Sequence, residues 1–269
     1  MKIARITTQK RKGRYNIFLK KAKGEEYAFS VDEDILVKYA LRKGIELDDA
    51  TISLLKQKDE TNKFYQMAIN LLSYRMRSEK EIREYLKKKE AIDEQIQEVI
   101  DRLTQENYID DQEFAIRFVN SRIASSSKGP LLLKKELLEK GVSADKIDVA
   151  LSHFSDAEQR KKITKFIEKK LNSSSKKSIQ QQIQTLHGTL LQKGYAGEIV
   201  KELLAEAKEQ FHDEDAEKDA VIHQGLKLLQ KYEKKASGYE LKQKIMAALY
   251  RKGFQGDHIQ AFIEEYVQE

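Results

Sequence analysis

The sequence contains no cysteine and no tryptophan, and it has one proline in 269 residues. Without cysteine there is no disulfide framework, no thiolate metal site and no cysteine nucleophile, a composition that suits a reducing compartment. No apolar run approaches the roughly 20 residues that a helix needs to span a bilayer. Met1-Lys2-Ile3-Ala4-Arg5 leads into no signal-peptide core. A cytoplasmic protein is expected. One proline and twelve glycines leave few breaks, so regular elements should dominate.

Catalytic constellations are also missing. His153, His187, His212, His223 and His258 fall at no zinc-ligand spacing, and no two stand at i and i+4 of one helix. No glycine-rich phosphate loop follows a strand, and Lys128-Gly129-Pro130 lacks the spacing of a Walker lysine. Glu106, Asp110 and Asp111 bring nuclease carboxylates to mind, but helical proteins place acids at such spacings routinely. No catalytic residue, cofactor or metal is expected. The chain reads as a binding protein and not as an enzyme.

What is present is helix-forming sequence and charge. Hydrophobic residues make up 40% and charged residues 35%, and Lys, Glu, Leu, Ile and Gln favour helix. The formal charge of +6 is unevenly spread. Residues 1–24 hold nine Lys or Arg and no acid, whereas five of the seven residues from Asp213 to Asp219 are acids. A second basic stretch, Arg160 to Lys177, has Glu168 as its only acid. Basic patches suit a polyanion. The candidate nucleic-acid contacts are Lys10, Arg11, Lys12, Arg14, Lys20, Lys21 and Lys23. In the second stretch Lys161, Lys162 and Lys165 are candidate partner contacts, although a solvated helix face explains them equally well.

A pattern recurs four times, anchored at Glu90, Gly141, Gly194 and Gly253, each preceded by lysine. Eight before the anchor stand Ile82, Leu133, Leu186 and Ile245, and four before it Leu86, Leu137, Leu190 and Leu249. Six after it come Ile96, Ile147, Val200 and Ile259. Apolar residues follow at nine, ten and thirteen after. These offsets describe two amphipathic helices separated by a break at the anchor. Glycine at three anchors predicts a left-handed C-cap, and Glu90 predicts a different one. Ser78 with Glu81, and Ser237 with Glu240, read as capping boxes. A further amphipathic helix precedes each pair, represented by Phe64 and Ala68 in the first copy, so the unit is three helices. Neighbouring units should stack as solenoid repeats do.

The expected division is a basic module over 1–60, then repeats over 61–108, 109–155, 156–211 and 212–269. The first module differs from the rest. Ile3 and Ile6, then Tyr15, Ile17 and Leu19, alternate, and Tyr27 to Val31 pairs back, which predicts a small sheet. Asp32 to Ala40 reads as a helix, and Leu41 to Ile45 matches half of the repeat signature around Gly44. Tyr15, Phe18 and Tyr27 combine with the cations to suit stacking on a single strand, or simply hold the sheet together.

Arg75-Met76-Arg77-Ser78-Glu79-Lys80-Glu81-Ile82, continuing to Tyr85-Leu86 and followed by Tyr108-Ile109-Asp110-Asp111 and Phe114-Ala115, closely resembles the RecX family of recombinase regulators. Lys128-Gly129-Pro130, Leu133, Glu136-Leu137 and Lys140-Gly141-Val142 continue the likeness, which covers about residues 63 to 210. The C-terminal unit extends it, as in the longer Gram-positive members. Asn107 departs from the family's usual glycine, but Asn also tolerates a left-handed backbone. The resemblance implies a mainly α protein, an elongated curved array of about four tandem three-helix repeats behind the β-containing module. It further implies binding to RecA and to the RecA filament on single-stranded DNA, with inhibition as the outcome. Arg75 and Arg77 join the candidate partner contacts. Two other readings stand beside it: a DNA-binding protein acting independently of RecA, and a helical adaptor without DNA contact.

Overall fold

The computed structural model describes residues 1–10, 12–22, 24–173 and 176–267. Arg11 and Lys23, two of the candidate contacts, lie outside the described residues. The chain forms two compact units, one of Met1–Ala115 with Glu139–Lys146, the other of Ile116–Leu138 with Ile147–Glu269.

The first unit opens with an antiparallel sheet in the order β1 (Lys2–Thr8), β2 (Arg14–Lys21), β3 (Gly24–Asp32). Period-two alternation sends Ile3, Ile17, Leu19, Phe29 and Val31 to one face, where Ile35 of α1 (Glu33–Lys38) and Ile52 and Leu55 of α2 (Asp49–Leu72) cover them. Gly44 does not break a helix pair as the half-signature predicts. The chain leaves α1 through Ala40, whose φ is 47°, with the Leu41 amide donating to Leu36 O at 2.9 Å. Residues 44 to 47 then run beside β1, through Ile3 N to Ile45 O and Gly44 N to Ile3 O, both 2.8 Å. This route delivers Leu41 and Leu47 to the sheet core, which outweighs the helical pattern.

Helix α2 also passes without interruption through residue 60, where the module was expected to end. It serves two cores in succession. Ile52 and Leu55 pack under the sheet, whereas Phe64, Tyr65 and Ala68 pack with Ile82 and Leu86 of α3 (Glu79–Lys87) and Ile96, Val99, Ile100 and Leu103 of α4 (Asp93–Gln105).

The helices that follow are α5 (Asp111–Ser125), α6 (Pro130–Glu139), α7 (Ala144–Leu151), α8 (Asp156–Leu171), α9 (Ile179–Gln192), α10 (Gly197–Gln210), α11 (Glu214–Tyr232), α12 (Gly238–Arg251) and α13 (Gly256–Tyr266). The apolar offsets hold throughout: of the residues at −8, −4, +6, +9, +10 and +13, all but Leu151 and Tyr266 are buried. Among the described residues no helix is long and apolar enough to cross a membrane.

The caps bring two corrections. Glu90 adopts the left-handed conformation expected only of the glycines, with φ 67°, the Ala91 amide on Leu86 O and its own amide on Lys87 O. Its side chain is exposed and meets no packing constraint, so a single strained residue is tolerated there. Ser237 makes no side-chain cap, because Gly238 enters α12 at φ 54° and Glu240 instead pairs with Lys244 at 2.6 Å. The Ser78–Glu81 capping box is present, and Asn107 has φ 59°.

Candidate nucleic-acid interface and inter-repeat joints

The basic N-terminus is only partly available. Arg14 does not belong on the outside: Nη1 and Nη2 grip the Asp59 carboxylate at 2.7 and 3.0 Å, and Nη2 also donates to Ser30 Oγ. Both side chains are largely buried, at 10% and 4% exposure. Asp59 further accepts from the Asp32 amide at 2.8 Å and pairs with Lys63 at 3.1 Å. A buried carboxylate needs such pairing, so Arg14 ties the sheet to α2. Sequence reading missed Asp59, an acid on the inner face of α2 that pairs with Lys63 one turn on, a spacing equally typical of a solvated helix face. Lys10, Lys12 and Lys20 are exposed. Lys21 is exposed and pairs with Glu26 at 2.8 Å.

The sheet face turned away from the core carries a cross-strand row. Register shifts beside Ala4 in β1 and beside Ala28 in β3 place Arg5 opposite Phe18 and Phe18 opposite Tyr27. The Arg5 guanidinium sits 4.4 Å above the Phe18 ring, and Tyr27 meets that ring edge-on at 6.0 Å. Tyr27 is 57% exposed. One neighbouring row is Lys2, Lys20 and Glu25, and the other is Thr7, Asn16 and Ser30.

The family-like string around Ser78 forms a joint between repeats. In the first unit Ser78 Oγ donates to the Lys140 carbonyl at 2.7 Å, and the Glu79 amide donates to Asp111 at 2.9 Å. Glu81 accepts from Lys140 Nζ at 3.0 Å and from Arg75 at 3.0 and 3.3 Å. Burial alone would raise the Glu81 carboxyl, but the hydrogen bonds from Arg75, Lys140 and the Ser78 amide outweigh it and hold the group down at about 2. The same joint recurs in the second unit. Ser178 Oγ donates to the Lys252 carbonyl and the Ile179 amide to Glu217, while the Gly129 amide donates to Lys193 O at 2.7 Å. The lysine before each anchor glycine is therefore used through its backbone carbonyl, and the glycine lets the preceding repeat come close. A methyl group on Gly194 would lie 2.6 Å from the Leu132 amide nitrogen.

These contacts sort the other candidates. Arg75 holds Glu81, and Arg77 is half-buried. Lys162 donates to Ser126 O at 2.9 Å, whereas Lys161 and Lys165 are exposed. Arg75 and Arg77 belong to the first unit, and the three lysines to the second. The acids that resembled nuclease ligands each have a structural partner. Glu106 takes the Tyr65 hydroxyl and Arg102, Asp110 caps α5 through the Gln112 and Glu113 amides, and Asp111 serves the joint.

Comparison with known proteins agrees along the chain. The family model described as the N-terminal domain of regulatory protein RecX matches residues 1–48. The first, second and third RecX three-helix domains match 65–103, 110–151 and 215–263. The third domain thus falls on the C-terminal unit rather than on the stretch that ends near residue 210. Helices α8 to α10, between the second and third matches, carry the same anchor pattern. Regulatory protein RecX of Oceanobacillus iheyensis is 51% identical over 100% of this chain and 99% of its own. That of Halalkalibacterium halodurans is 41% identical over 98% and 99%. A crystal structure of regulatory protein RecX superposes with a TM-score of 0.68 at 32% identity, covering 75% of this chain and 98% of the other. RecX from Lactobacillus salivarius gives 0.53 at 30% identity, covering 55% and 97%. With its N-terminal sheet, its three-helix units and close relatives over its whole length, the chain belongs to the RecX family of regulatory proteins.

Proposed function

We propose that this protein binds RecA and the RecA filament on single-stranded DNA and inhibits the recombinase, ATPase and co-protease activities of that filament, without catalysing a reaction of its own. Membership of the RecX regulators over the full length carries the reading. The exposed cations Lys10, Lys12 and Lys20 supply a surface for the strand. Lys161 and Lys165 are the exposed candidates for contact with RecA, whereas Arg75 and Lys162 hold the fold. The repeats over 61–108, 109–155, 156–211 and 212–269 are the units of binding, and such partners place the activity in the cytoplasm.

The test compares binding to free RecA, to bare single-stranded DNA and to the assembled filament, alongside filament ATPase and strand exchange. Tightest binding to the filament and slowed ATPase are expected. No effect on RecA at any ratio would remove the reading. A second reading, DNA binding independent of RecA, draws on the same exposed cations. It is selected if bare DNA binds as tightly as the filament and ATPase is untouched.

A further inference from the structure

The outer face of the N-terminal sheet has no catalytic content, yet it exposes aromatic rings where a soluble sheet usually presents polar residues. Its central row, Arg5, Phe18 and Tyr27, runs straight across all three strands. Two one-residue bulges create that row. Without them Arg5 and Tyr27 would be out of register with Phe18, and bulges commonly re-aim side chains at functional surfaces. Both extra residues are alanine, whose small side chains add little to the core even though Ala4 is buried and Ala28 packs at its edge. Tyr27 is more than half exposed and so contributes little to burial.

We infer that this row is a stacking platform for the bases of a single-stranded nucleic acid, resting on the reading that the N-terminal module meets the strand. The flat π-face of an unpaired base matches the exposed Tyr27 ring, and the exposed Arg5 guanidinium, layered 4.4 Å over Phe18, offers a second flat surface held in place by that ring. Exposed Lys20 on the flanking row faces the phosphates, while in the same row Lys2 pairs with Glu46 at 3.0 Å and Glu25 pairs with Arg5 at 3.4 Å. On the opposite flank Asn16 donates to Thr7 and accepts from Gln9, and Ser30 accepts from Arg14, which stiffens that side of the sheet. Duplex DNA keeps its base faces stacked internally and cannot use such a row, so the platform selects single strands. Charge alone would not make this selection.

The experiment measures anisotropy of a labelled oligothymidylate with the full-length protein, with Phe18→Ala and Tyr27→Ala, and with an abasic oligonucleotide of equal length. Each substitution should weaken binding about five- to a hundredfold and leave the salt slope unchanged. The abasic strand should bind wild type and variants alike. Tyr27→Phe should retain affinity, and exposed Tyr27 allows its variants to fold even if Phe18→Ala does not. Equal affinity of wild type and Tyr27→Ala for oligothymidylate, or equal affinity of wild type for normal and abasic strands, overturns the platform while leaving regulation of RecA standing. Loss of filament inhibition by Tyr27→Ala with unchanged strand affinity would assign the face to protein and also overturn it. If wild type inhibits the filament but binds no bare strand, the platform falls alone. If it does neither, the functional reading falls with it.

Discussion

Four anchor positions share one left-handed backbone conformation but differ in what surrounds them. At Gly194, φ is 85° and the Leu132 backbone blocks any Cβ. At Glu90 the same conformation lies in solvent and carries a full side chain. Gly194→Ala therefore meets both a strained φ and a clash with backbone, and should cost well over about 1 kcal/mol in a urea titration. Glu90→Gly should change stability by less than about 1 kcal/mol, because relief of strain offsets the added freedom of the unfolded chain. Glu81 has a signature in pH. Its folded value of about 2 lies below the ordinary carboxylate value of about 4.3, so its contribution is present above that value and fades as pH falls towards 2. Burial raises the neighbouring Asp111 carboxyl, although its hydrogen bond from the Glu79 amide works the other way. The net rise gives Asp111 the opposite dependence, a contribution lost as pH rises. For Glu81→Gln, the gap from wild type in urea midpoint should be clear at pH 7 and close on acidification. A gap that stays constant down to pH 2.5 would show that the Glu81 carboxylate does not hold the joint.

At the scale of elements, packing follows the repeat offsets. Leu137 is fully buried in α6, and Leu137→Ala should cost roughly 2 to 5 kcal/mol by denaturant titration; a change under about 0.5 kcal/mol would refute the phasing. Those helices were legible because an apolar stripe at 3.6-residue period is local information, and four copies reinforce it. The sheet was legible from alternation for the same reason. The route of residues 40 to 47 was not, since its local pattern is helical and the competing demand comes from β1. The two cores along α2 were equally hidden, because nothing in a helical period marks where one core ends and the next begins. At the candidate site, the basic segment was visible but Arg14 could not be told from its neighbours. Only the fold brings it to Asp59, 45 residues away. The Arg5–Phe18–Tyr27 row depends on two bulges, which no period-two pattern displays.

For the molecule as a whole, substitution can separate the structural charge of the N-terminal segment from the charge proposed to meet DNA. Arg14 is structural: Arg14→Gln would leave the Asp59 carboxylate buried with only Lys63 as a cation, so it should lower stability by a few kcal/mol, about 3 to 5 at most. Including it in a charge-removal variant would confuse unfolding with lost DNA contact. Lys10, Lys12 and Lys20 are exposed and have no such cost. Changing these three to glutamine should leave the circular dichroism spectrum and urea midpoint as in wild type. Each lost phosphate contact should flatten the dependence of log affinity on log salt by about 0.7 for single strands. Three such losses bring a change of roughly 2. Stacking on the Arg5–Phe18–Tyr27 row and the cations left in place would persist, so residual binding should be weaker and less salt-dependent rather than vanish. With RecA contact proposed to lie on the helical repeats, filament inhibition should weaken but survive. An unchanged slope in the triple variant removes these lysines from the interface, and complete loss of inhibition with intact folding places RecA recognition on the basic module instead of on the repeats.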